Sequence, residues 1–162
     1  MIISIINHTR GKLSDEELQV AIRAINRQIA HDFEPYWSLG AELRLEGKSE
    51  KKPTKHSLAD MRGDAVIYVW DQLDVEDALG YHDKNDRGIP YGFVFVELSK
   101  ELEEEWSVTL SHEALELIGA CEAAAAALGW QQGYYDMMLA RVDGLIDDSP
   151  PDWTGVYVAK EK

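Results

Sequence analysis

Residues 106–122, WSVTLSHEALELIGACE, decide how the rest of the chain is read. At 3.6 residues per turn, His112 and Glu116 stand one turn apart on the same side of a helix. Glu113 is beside them, and Thr109 completes a polar stripe about 100° wide. Val108, Leu110, Ala114, Leu115, Leu117 and Ile118 cover the remaining circumference. A mostly apolar helix with one narrow line of ionisable groups is expected deep in a domain. A surface helix produces the same spacing by chance, so the stripe has to be weighed against the whole chain.

The chemistry of the stripe is specific. His-Glu-x-x-Glu has the arrangement of the His-Glu-x-x-His zinc-hydrolase helix with its second His replaced by Glu. An imidazole and a carboxylate one turn apart can share a divalent cation, and the acid after the His can move a proton. The spacing therefore names His112 and Glu116 as candidate metal ligands and Glu113 as candidate general base.

Working outward, 162 residues suffice for one domain with a proper core, 1–162, and are few for two. With 45% hydrophobic and 28% charged residues the composition is that of a globular domain. No apolar run reaches a membrane span, and the N-terminal MIISIINHTR lacks a secretory pattern. The single cysteine, Cys121, rules out an internal disulfide framework and points to a reducing, cytoplasmic compartment. A formal charge of -14 argues against nucleic acid, whose phosphates need a basic surface, and leaves room for a basic protein partner.

Along the chain, residues 1–7 are apolar and β-branched, a first strand buried on both faces. Ser14 and Glu17 form a capping box, and the helix behind it aligns Leu18, Ile22, Ile25 and Ile29 before ending near His31. Pro35 and Tyr36-Trp37 read as a connection, residues 41–45 as a second strand, and the basic segment 47–55 as a loop. Residues 65–70, AVIYVW, are a third, central strand. Residues 71–80 read as an acidic loop leading to Tyr81-His82-Asp83. The DKNDRG segment at 83–88 resembles a calcium loop only superficially: Arg87 takes the fifth position and Val94 the twelfth, so it is read as a turn. Residues 92–98, GFVFVEL, are a fourth strand, and the acidic run 101–105 suits the N-terminus of the helix that follows. Beyond Glu122 come five alanines, a second helical pattern over 134–146, and a short terminal strand at 153–159. Strand, helix, strands, helix, helix is an α/β or α+β order with a mixed sheet.

Residues 24–119 resemble a bacterial and phage family of zincin-like metallopeptidases. The matching pieces are AINRQIAHDFEPYWSLGAELRLEG, MRGDAVIYVWD, ALGYHDKNDRGIPYGFVFVELS and WSVTLSHEALELIG. The resemblance implies a zincin-like fold whose sheet has an edge strand before the metal-binding helix, with residues 91–98 matching that strand. The family pattern continues with Asp-Pro after the position of Gly119. Here those positions are Ala120 and Cys121, and residues 122–162 depart from the family.

A zinc hydrolase needs three protein ligands and one open position. Three residues could complete the set. Glu122 lies ten residues after His112, the third-ligand spacing of related zinc sites, provided the chain turns at Gly119; an unbroken helix carries it about 15 Å along the axis. Cys121 as a thiolate favours a closed structural site. Asp136 would return from the later helix. Each has a plainer reading, as a solvated helix acid, a small core side chain and a surface acid respectively.

Two functions follow. The first is a zinc-dependent metallopeptidase or related hydrolase acting on a peptide or protein. In it, Tyr81 or His82 steadies the oxyanion and residues 91–98 hold the substrate by main-chain pairing. The second is a catalytically degenerate, acidic zincin-fold protein that acts by binding a basic protein, as a phage-type inhibitor would.

Overall fold

In a computed structural model, which describes residues 1–48, 62–71 and 78–127, the apolar runs assemble into one five-stranded sheet. By compactness the chain divides into Met1–Trp130 and Gln131–Lys162, and every described residue belongs to the first unit. The helix and strand expected at 134–146 and 153–159 lie outside the described residues, as does the loop expected at 47–55 except for its first two residues, Gly47 and Lys48, which belong to a strand.

Strands β1 (Ile2–His8), β2 (Glu42–Lys48), β3 (Ala65–Trp70), β4 (Gly80–Lys84) and β5 (Pro90–Phe95) take the order β2-β1-β3-β5-β4. The pairs β1–β2, β1–β3 and β3–β5 are parallel, and β4 runs antiparallel to β5 at one edge. This is the mixed sheet that the order of elements predicts. The central strand β3 is buried along its whole length, which is why it reads as a continuous apolar run rather than an alternating one.

Between β1 and β2, helix α1 (Asp15–Gln28) begins at the expected capping box: Glu17 N–H donates to Ser14 Oγ (3.2 Å), and Ser14 N–H donates to Glu17 Oε2 (2.8 Å). Leu18, Ala21, Ile22 and Ile25 face the core. The helix does not stop near His31. It passes through one π turn (Ile29–Phe33) into a short helix, α2 (Glu34–Trp37), so Pro35 and Tyr36-Trp37 are helical and not a connection. Pro35 is tolerated in the first turn of α2, where its missing N–H has no intrahelical partner to lose. Ser38, at φ 55°, ends the run.

Residues 92–98 also differ from expectation. β5 ends at Phe95, and Val96–Glu101 form a helix, α3. Val96 and Ser99 are buried one turn apart, and Ser99 Oγ donates to Phe95 O (2.9 Å). The apolar run mixes two periods, the strand's up to Phe95 and the helix's after it, and in sequence the two merge into one stretch. Nor is this strand the edge of the sheet: β5 lies between β3 and β4. The edge is β4, within the stretch read as loop and turn. Its sequence, GYHDK, carries one apolar side chain because an edge strand with a solvated side needs no more.

The β4–β5 hairpin closes on Asn85. Its Oδ1 accepts from the Arg87 and Ile89 backbone N–H groups (2.9 Å each), and Gly88 takes a positive φ of 76°. The segment that resembled a calcium loop is thus a turn, its central carboxamide already occupied.

Strand alternation sorts the side chains onto two faces. One is a buried aromatic face of Ile6, Val66, Tyr68, Trp70, Tyr91, Phe93 and Phe95, with Tyr81 and Leu98 packed against it. The other receives α1 and the long helix α4 (Trp106–Ala127), which Ser111 joins to α1 by donating to Gln28 Oε1 (2.7 Å). Leu110, Ala114, Leu117 and Ile118 of α4 are buried, as their spacing predicts. Among the described residues no helix is long and apolar enough to cross a membrane.

Candidate metal centre

The contact between α4 and the edge of the sheet depends on a residue without a side chain. A Cβ on Gly80 would stand 2.7 Å from Phe93 O, 2.8 Å from Thr109 Cγ2 and 2.9 Å from Glu113 Oε1. Glycine therefore lets the helix settle directly on the start of β4. Two residues further along, the pleat returns to the same face and presents His82 to the polar stripe of α4.

There the groups converge. His82 Nδ1 is 3.0 Å from Glu113 Oε2 and 3.0 Å from Glu116 Oε2, while His112 Nε2 is 3.2 Å from Glu116 Oε2. One donor atom each of His82, Glu113 and Glu116 lie within 4.8 Å of one another. A ring nitrogen within reach of two carboxyl groups can donate an N–H hydrogen to one of them or, without that hydrogen, accept from a carboxyl proton or face a cation held among the three groups.

Depth differs sharply across the cluster. Glu113 is 4% exposed, whereas the side chains of His82, Glu116 and His112 are 32%, 44% and 63% exposed. The stripe therefore lies at a shoulder of the molecule with one acid turned inward, not deep in the domain. Burial pushes the Glu113 carboxyl above its ordinary range. The hydrogen bond and charge of His82, and the charge of His112, pull it back, and the like charge of Glu116 adds to the rise. Beside the cluster a cleft of about 390 Å³ opens between β4 and the start of α4, lined by Leu79, Gly80, Glu104, Glu105, Val108, Thr109, His112 and Glu113.

The residues singled out from sequence fare differently. Glu113 and Glu116 come together with His82, while His112 reaches Glu116 (3.2 Å) from outside that trio. Tyr81 does not reach the site: its ring projects from the opposite face of β4 and stacks on Phe93 (centroids 5.1 Å). That removes it from any oxyanion role in this cluster. The turn at Gly119 that would bring Glu122 back is not made. α4 runs unbroken to Ala127, leaving the Glu122 backbone about 15 Å along the axis from His112. Cys121 is half-buried, and burial together with the charge of Asp64 pushes its thiol up to about 11, which disfavours a thiolate ligand. Asp136 lies outside the described residues.

The signal for His82 was available but easily misread. In Gly80-Tyr81-His82 the glycine marks a close backbone approach, and alternation then sets Tyr81 and His82 on opposite faces. No family model, curated protein or solved structure matches the chain.

Proposed function

We propose that this chain is a zinc-dependent hydrolase of peptide bonds on a zincin-like scaffold, with the metal held between β4 and α4. The observation that carries the reading is His82 Nδ1 lying 3.0 Å from carboxylate oxygens of both Glu113 and Glu116. It supplies the third group that the helix motif alone lacks. Two imidazoles and carboxylate oxygens form a donor set that suits zinc or another first-row divalent ion. His82, His112 and Glu116, the more exposed members, are the proposed ligands. Glu113, buried behind them with a raised pKa, is the proposed base.

Zinc in such a set supplies Lewis acidity, lowering the pKa of water and polarising a carbonyl. The chain's own residues do the rest. Burial penalises the charge of Glu113, so it holds its proton to higher pH than an ordinary carboxyl, and a base so placed can take a proton from the nucleophile and return it to the leaving amine. In the metal-free chain His82 Nδ1 lies at hydrogen-bonding distance, 3.0 Å, from Glu113 Oε2, and the β4–β5 hairpin sets the orientation of His82. β4 also offers an unpaired edge among the described residues. Phe95 N–H donates to Leu79 O (2.9 Å), so in this register the backbone groups of Gly80 and His82 point away from β5. An extended peptide adding a strand there would pass directly beside the cluster, a task assigned from sequence to residues 91–98.

A second reading, an acidic non-catalytic binding protein on the same scaffold, draws on the charge of -14 and on Ala120-Cys121 where the resembling family has Asp-Pro. Glu113→Gln separates the two. On the hydrolase reading it keeps its zinc and loses peptide turnover by about 100-fold or more, the usual worth of a general base. Turnover equal to wild type removes Glu113 from the mechanism, and a wild-type chain with neither zinc nor turnover leaves the binding reading.

A further inference from the structure

The cleft beside Glu113 has a composition that the metal cluster does not explain. One wall is apolar, made of Leu79, Val108 and the Thr109 methyl group; the rim carries Glu104 and Glu105; His112 lines it too, and among the described residues no lysine or arginine does. Both rim acids are exposed. The volume, about 390 Å³, is at the lower end of the range for ligand pockets, about 300–1,000 Å³. Buried Glu113 and Gly80 line it together with the two exposed acids, so the cleft adjoins the proposed reacting centre. We propose that it is a specificity pocket for a lysine or arginine side chain, and that the substrates are polypeptides with a basic residue next to the bond to be cleaved.

Shape and charge select together in this cleft. Lysine and arginine lay an apolar stem along apolar surface and keep a cationic head at a polar rim, and this cleft offers both environments. A smaller aliphatic side chain would leave the acids unused, and an acidic one would meet Glu104, Glu105 and Glu113 with like charge. The overall charge of -14 draws cationic chains toward the molecule in general; the cleft would convert that general attraction into selection at one position. Glu105 also sits at the N-terminus of α4, where an acid is favoured for its own sake, so the decisive variants change both rim acids.

The inference rests on the hydrolase reading for its biological sense, and its test keeps the two apart. Fluorescent heptapeptides with one lysine, or its uncharged analogue norleucine, at each position in turn are titrated into the full-length, zinc-loaded Glu113→Gln chain. The same peptides are given to wild type for cleavage. We expect lysine to improve binding about tenfold at one position only, and wild-type cleavage to occur beside that position. Glu104→Gln/Glu105→Gln should lose the preference while binding the norleucine peptide as before, and Glu104→Lys/Glu105→Lys should reverse it. Glu16→Gln/Glu101→Gln, which removes equal charge away from the cleft, should keep it. A lysine preference spread evenly over all positions, or one that survives both rim variants, overturns the pocket whatever the cleavage result. Position-specific binding without any cleavage by wild type overturns the hydrolase reading and leaves the pocket standing.

Discussion

At the scale of single residues, the site depends on the contrast between Glu113 and the groups around it. A carboxyl that is almost fully buried is harder to ionise in the folded chain than in the unfolded one. Its contribution to the stability of the metal-free protein is therefore greatest below the ordinary carboxylate range, falls as pH rises through the raised folded value, and stays low above it. Metal-free Glu113→Gln should accordingly gain on wild type in urea melts as pH is raised from 4 to 8; parallel pH profiles would mean that burial of this charge costs nothing. Gly80 makes a second residue-level test. Gly80→Ala forces a methyl group within 3 Å of a carbonyl oxygen, a threonine methyl and the Glu113 carboxylate. It should cost about 1–3 kcal/mol by overpacking and weaken zinc binding as well, to be read by denaturation and by metal titration. An alanine variant with wild-type zinc affinity would show that α4 need not touch β4. His112, Glu113 and Glu116 were legible because helical spacing is periodic and local. The inward placement of Glu113 was not, since which part of a polar stripe is buried depends on the partner surface, and that is fixed by contacts distant in sequence.

At the scale of elements, β4 is the part that sequence reasoning missed and the part that completes the cluster. Interior strands announce themselves by apolar continuity, as 65–70 does; an edge strand with polar residues at three of five positions looks like a loop. Its position is held by the Asn85 turn, so the turn should matter to a site several residues away. Asn85→Ala removes the acceptor for two backbone N–H groups. The expected cost is about 1–2 kcal/mol of stability, together with a several-fold loss of zinc affinity as His82 loses its alignment. If zinc affinity is unchanged while stability falls, the hairpin does not position His82. α4 teaches the converse lesson. Its passage through Gly119 excludes the turn that Glu122 needed as a third ligand, and a run of five alanines favours helix enough to carry the chain past one glycine, which costs about 1 kcal/mol.

At the scale of the whole molecule, a mixed sheet with helices α1 and α4 on one face brings together, at the shoulder between β4 and α4, a strand edge unpaired among the described residues, a cluster of N and O donors and an acid-rimmed cleft. A ligand that binds only the folded chain must stabilise it: zinc at 100 times its dissociation constant should add about 2.7 kcal/mol and raise the melting temperature in proportion to the logarithm of its concentration. A melting point indifferent to zinc would leave the acidic scaffold as a binding protein. The central claim is that His82 of β4 and Glu116 of α4 hold one cation between them, and the most direct measurement is the zinc content of full-length chain purified without chelator, wild type beside His82→Ala. The account predicts about one zinc per wild-type chain and almost none in the variant, both remaining folded by circular dichroism. Equal zinc in the two proteins, or none in wild type, would contradict it.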